Sequence, residues 1–178
     1  MARHLVTMNR APVLTLWGAV VAERMGYEWE EALTLGRAVA GLNAQSKGRR
    51  LGIFGPPKRG EEGKPPKKVG LGEDFWVEVA GRHVPAKRTE EGVRAVVGDK
   101  PIAPGQVEKY LRSRFGEELG AVREAMEQLA RSFAPRELRA AAYGLYEKFR
   151  PTVASGRRGW GQKGELDLEL IRSLASSR

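Results

Sequence analysis

At 178 residues, 41% apolar and 30% charged, the chain is long enough to bury a core and has the balance of a globular fold rather than a disordered one. It has no Cys and only two His, His4 and His83, which excludes a disulfide scaffold, a zinc ribbon, a thiol nucleophile and a multi-His metal centre; an all-carboxylate Mg²⁺ or Mn²⁺ site stays open. The formal net charge of +9 sits in two Gly-rich stretches: residues 45–69 hold eight Lys/Arg against two Glu, residues 155–164 hold three against none, and the remainder is neutral.

The longest uncharged, mostly apolar run, Ala11 to Ala22, falls short of the roughly 20 residues a membrane helix requires, and no basic segment or A-x-A-like site marks it as a signal peptide. A soluble cytoplasmic protein with no membrane partner is expected. Arg outnumbers Lys 21 to 10 and Asn occurs twice, a thermophile-like mix that GC-rich coding also produces.

In chain order, the pattern opens with a helical hairpin. Asn9 or Thr7 can cap a first helix, Pro12 sits where a missing N–H is harmless, and Leu14, Trp17, Val21 and Met25 recur at helical spacing before Gly26 stops it. A second helix is predicted from about Glu28 to Ala44, with Glu28, Glu30 and Glu31 in its first turn, where the helix dipole favours negative charge. Its remainder is apolar nearly all round and carries small residues at Gly36, Ala40 and Ala44, so it should be buried and let a neighbouring backbone come close.

Residues 45–70 contain six Gly and four Pro and read as a long loop or ordered arm, semi-extended at its Pro-Pro pairs. Beyond it the pattern alternates: Phe75 to Val79 is a strand, Ala80-Gly81 can turn the chain, and Arg82 to Ala86 can return it. Val93 to Val97, a Gly98-Asp99 turn and Lys100 to Ile102 suggest a second hairpin, with Pro85 and Pro101 expected only at edges or ends.

Helical spacing resumes at Pro104. Val107, Tyr110, Leu111 and Phe115 share a face up to Gly116; Leu119, Val122, Met126, Leu129 and Phe133 make a second; Leu138, Ala142, Leu145 and Phe149 make a third. A last short helix is predicted over Glu165 to Ala175. The expected fold class is α+β, mainly helical, in one domain, 1–178. Its parts are a helical hairpin over 1–44, a basic Gly/Pro-rich loop or arm over 45–70, a small antiparallel sheet of three or four strands over 71–103, and a helical bundle over 104–178.

Three motif spellings fail on context. Gly159 to Gly164 matches G-x-G-x-x-G, but a dinucleotide turn follows a strand and needs an acidic residue about 20 positions on; here a helix precedes it and 14 residues follow. A Gly-rich helix start flanked by Arg157, Arg158 and Lys163 could still hold a phosphate, while the bland reading makes Trp160 a hydrophobic loop anchor. Gly156 to Gly159 spells the G-x-x-G of KH modules, yet Trp160 to Gly164 intervenes before the next helix. A helix-turn-helix over 11–50 would need a polar recognition face, which the second helix lacks before Asn43.

No nucleophile elbow, H-E-x-x-H or P-loop is present, and the one imaginable acid–His pairing is Glu73 or Asp74 with His83 across the first hairpin. No catalytic residue, metal ligand or cofactor is assigned. The candidate phosphate contacts are Lys47, Arg49, Arg50, Lys58, Arg59, Lys64, Lys67 and Lys68 in the first stretch, and Arg157, Arg158 and Lys163 in the second. Phe54 and Trp160 are candidate stacking surfaces for unpaired bases. Capping of a helix C-terminus accounts for one or two of these cations, not for eight. The expected function is therefore non-catalytic binding of nucleic acid, DNA or RNA, mainly through its backbone. The rival is a structural or protein-interaction module whose basic stretches meet its own acidic helices, an acidic protein partner or a second copy. A third reading is an enzyme or binder of a phosphorylated small molecule.

Overall fold

The computed structural model describes residues 5–49, 74–97, 100–151 and 164–176, with 43–49 and 74 described as backbone only. In order these form β1 (Leu5–Met8), α1 (Arg10–Arg24), α2 (Trp29–Arg49), β2 (Asp74–Val79), β3 (Arg82–Thr89), β4 (Gly92–Val97) and β5 (Lys100–Pro101). Then come α3 (Pro104–Phe115), a 3₁₀ turn (Gly116–Glu118), α4 (Leu119–Arg131), α5 (Pro135–Phe149), β6 (Gly164–Asp167) and α6 (Leu168–Ser176). The architecture is α+β and mainly helical, with a four-stranded antiparallel sheet ordered β2-β3-β4-β5.

Helix α1 is the axis of the core. Every residue from Pro12 to Ala22 is buried, because α2, α3, α4 and α5 all pack against it. Gly26, at φ +115°, ends the first helix in a conformation that favours glycine, and the chain folds back into α2. Gly18 and Gly36 face each other where the two helices touch. A Cβ on Gly18 would lie 2.9 Å from Gly36 Cα, and one on Gly36 would press on the Thr15 carbonyl oxygen and lie 2.6 Å from Ala19 N. Trp17, fully buried, donates from Nε1 to the Ala142 carbonyl oxygen at 2.9 Å and meets Phe149 edge-on at 5.2 Å, which fastens α1 to α5.

The sheet is clasped to the helices by side chains of α2. Strand β5 pairs only with Val96 and Val97, so the earlier part of β4 needs another neighbour for its outward N–H groups. Glu31 Oε2 accepts from Val93 N at 2.8 Å and Thr34 Oγ1 accepts from Ala95 N at 3.0 Å. Glu31 Oε1 also accepts from Glu28 N at 3.0 Å, which places a carboxylate in the first turn of α2 for a structural purpose. The first hairpin turns at Ala80-Gly81, φ +48° and +78°, the two positive values a two-residue turn of this hand requires.

Several local expectations are corrected. Helix α2 runs on to Arg49 rather than stopping at Ala44, since Gln45, Ser46 and Lys47 are tolerated in a helix and no proline intervenes. Pro85 lies in β3, an inner strand, not at an edge. It sits opposite Trp76, one residue past the last β3–β4 pair, Ala86↔Ala95, so its missing N–H falls where that ladder has ended. Residues 164–167 are a strand rather than the start of the last helix. They pair with Leu5–Met8, a strand the sequence pattern did not announce, in a separate two-stranded sheet. Asp167 explains the boundary: its Oδ1 accepts from Glu169 N at 3.0 Å and Leu170 N at 3.4 Å, a capping arrangement that starts the helix at Leu168.

Tyr27 stores a pH dependence in this core. It is 8% exposed, its hydroxyl has no hydrogen-bond partner, and burial, helped by Glu31 and opposed by Arg88, leaves its pKa pushed up to about 12. The unfolded phenol ionises near about pH 10, so this contribution is complete below that pH and is lost as pH rises through the folded value. Urea unfolding should show a loss of about 2–3 kcal/mol across that window, attributable to this residue, and the Tyr27→Phe variant should lack that share of it.

Candidate nucleic-acid interface

Of the sequence-predicted contacts, Lys47 and Arg49 belong to the last turn of α2. Arg50, Phe54, Lys58, Arg59, Lys64, Lys67, Lys68, Arg157, Arg158, Trp160 and Lys163 lie outside the described residues, as do Glu73 and the Gly98-Asp99 turn. The described points that bound the two basic stretches nevertheless have a clear arrangement.

Helices α1 and α2 are antiparallel, with Gly18 against Gly36. From that contact α1 extends back about 12 Å to Arg10 and α2 extends forward about 20 Å to Arg49, so the end of α2 lies beyond the start of α1. Pro151 is at the same end, because Arg10 Nε donates to its carbonyl oxygen at 3.1 Å. Gly164 is there too, paired with Met8. Three of the four bounding points therefore share one end of the helical hairpin. The fourth, Asp74, pairs with Lys87, itself opposite Arg94, whose neighbours Val93 and Ala95 hydrogen-bond to Glu31 and Thr34 in the first half of α2.

A cationic cluster that sequence reading missed lies between α2 and α3. Arg37, exposed on an otherwise buried stretch of α2, stands over the Tyr110 ring at 5.1 Å from its centroid, and Arg114 stands over the same ring at 5.5 Å. Burial raises the Tyr110 pKa while the two guanidinium groups pull it back. The available signal was the single charge in the apolar run Ala32 to Leu42. Elsewhere, cations have structural work. Arg24 donates to the Phe133 carbonyl oxygen at 2.8 Å and the Ala130 carbonyl oxygen at 3.4 Å at the end of α4. Arg123 stacks on Trp29 at 3.8 Å and donates from Nε to Glu127 Oε2 at 3.0 Å.

The His83 pairing is also revised: the residue across from it is Glu78, while Asp74 faces Lys87. A cleft of about 250 Å³ is lined by Val20, Glu23, Arg24, Glu127, Ala130 and Arg131. Burial raises the Glu23 pKa, Arg123 lowers it and Glu127 raises it further. Among the described residues no group of three or more His, Cys, Asp or Glu could hold a metal ion, and no helix is long and apolar enough to cross a membrane. No family model, no curated protein and no solved structure matches the chain in the comparisons made with each.

Proposed function

We propose that the chain is a non-catalytic, cytoplasmic protein that binds DNA or RNA mainly through the phosphate backbone. The observation that supports this reading most is the charge partition: the whole positive excess lies in two stretches, three of whose four bounding points sit at one end of the α1–α2 hairpin. Cations concentrated in this way, with the remainder neutral, suit a polyanion rather than a general solvated surface. Lys47, Arg49 and Arg50 in the first stretch and Arg157, Arg158 and Lys163 in the second are the proposed phosphate contacts.

Titration of random-sequence duplex DNA and single-stranded RNA at several salt concentrations tests this. With six phosphates neutralised, the logarithm of affinity on duplex DNA falls by about 5 per decade of salt. Reversing Arg49 and Arg50 to Glu, or Arg157 and Arg158 to Glu, reduces that slope by about two while Tm stays the same. If the reversals lower Tm and leave binding alone, the cations are structural and the reading is wrong.

A further inference from the structure

Arg37 is exposed in a stretch of α2, residues 32–40, that is otherwise buried. It reaches towards α3, where its guanidinium carbon stands 5.1 Å from the centroid of the Tyr110 ring. Arg114, also exposed and one helical turn after Tyr110, stands 5.5 Å from the same centroid. Tyr110 itself is partly buried against the core, so the helices hold the ring while solvent still reaches it.

Among the described residues neither guanidinium is ion-paired or hydrogen-bonded. Arg112 with Glu108, Arg123 with Glu127 and Arg172 with Glu169 show what a neutralised arginine looks like in this protein, and Arg24 shows one spent on a helix end. Lys109, exposed on α3, adds a third cation. Two like charges set over one ring favour an anion beside them. Carboxylates and phosphates both meet that need, and the ring decides between them. A nucleobase stacks on an aromatic side chain more strongly than an exposed cation does, so a base can take the place of one guanidinium and leave it to meet the adjoining phosphate. A duplex keeps its bases stacked on one another and has none to offer the ring.

We propose that Tyr110, Arg37 and Arg114 form a site for an unpaired base and its flanking phosphates, so that the nucleic acid this protein takes is single-stranded. The site rests on the nucleic-acid reading and adds to it a contact outside both basic stretches, with Arg37 about 18 Å back along α2 from Arg49.

Fluorescence anisotropy of the full chain with a labelled oligothymidylate, an abasic strand and a duplex of equal length tests it. Oligothymidylate should bind about tenfold more tightly than the abasic strand, which carries the same phosphates without bases. Tyr110→Leu keeps an apolar side chain against the core and changes no charge; it should remove at least half of that advantage and leave binding to the abasic strand and the duplex as they were. Arg37→Gln combined with Arg114→Gln, both at exposed positions, should lower the salt slope on oligothymidylate by about 1.4 with Tm unchanged. Equal wild-type affinities for oligothymidylate and the abasic strand, an undiminished preference in folded Tyr110→Leu, or an undiminished slope in the double variant each overturns the proposal and leaves the backbone reading standing. Binding to none of the three strands overturns both. Polyglutamate that loses affinity for the double variant while oligothymidylate does not assigns the patch to an acidic protein partner, and this too overturns it.

Discussion

Replacing Gly36 with alanine should lower Tm by about 10 °C, while the same change at Gly41, in the same helix, leaves Tm unchanged or raises it slightly. The difference is one of neighbours rather than of helix propensity. A methyl on Gly36 meets the backbone of α1 at Thr15 and Ala19, and backbone does not step aside as a flexible side chain would. The helices must separate, and the loosened contact runs through the most buried part of the core, a loss of about 3 kcal/mol. Gly41 has nothing within 4 Å of its virtual Cβ, so alanine there removes only chain entropy from the unfolded state. Equal melting temperatures for the two variants would show that α1 and α2 do not pack at Gly36.

The second large effect belongs to Trp17. Truncation to alanine should cost about 3–5 kcal/mol, since a fully buried ring leaves a cavity between α1 and α5 that helices held at several points cannot collapse to fill. Trp17→Phe should cost about 1–2 kcal/mol, because a ring remains against Phe149 while the hydrogen bond to the Ala142 carbonyl oxygen is lost. Urea denaturation followed by far-ultraviolet circular dichroism measures both. A Trp17→Ala variant no weaker than Trp17→Phe would mean that the indole is not wedged between the helices.

Much of the fold was legible because its signals are local. Pro104 opens a helix, Gly26 and Gly116 each close one, Ala80-Gly81 turns a hairpin, and the apolar faces of α3, α4 and α5 read directly as helical spacing. What escaped depends on partners far along the chain. Leu5–Met8 is four residues long, too short for its alternation to stand out, and becomes a strand only because Gly164–Asp167 lies beside it. The carboxylate of Glu31 looked like a favourable dipole contact, and only tertiary structure shows that it also serves a strand N–H. The candidate interface was legible as charge alone. That Arg37 and Arg114 share one tyrosine ring follows from helix packing that no spacing rule conveys.

The β1–β6 pairing also orders events in time. During synthesis Leu5–Met8 emerges early but has no strand to pair with until Gly164–Asp167 follows, after every helix except α6 has been made. Closing so long a loop costs little more than closing one half its length, about 0.6 kcal/mol, so the penalty is one of waiting more than of stability. Meanwhile α1, uncharged from Ala11 to Ala22 and next after β1, depends on α2 and then on α3, α4 and α5 for cover, and is the segment most exposed to aggregation on a nascent or truncated chain.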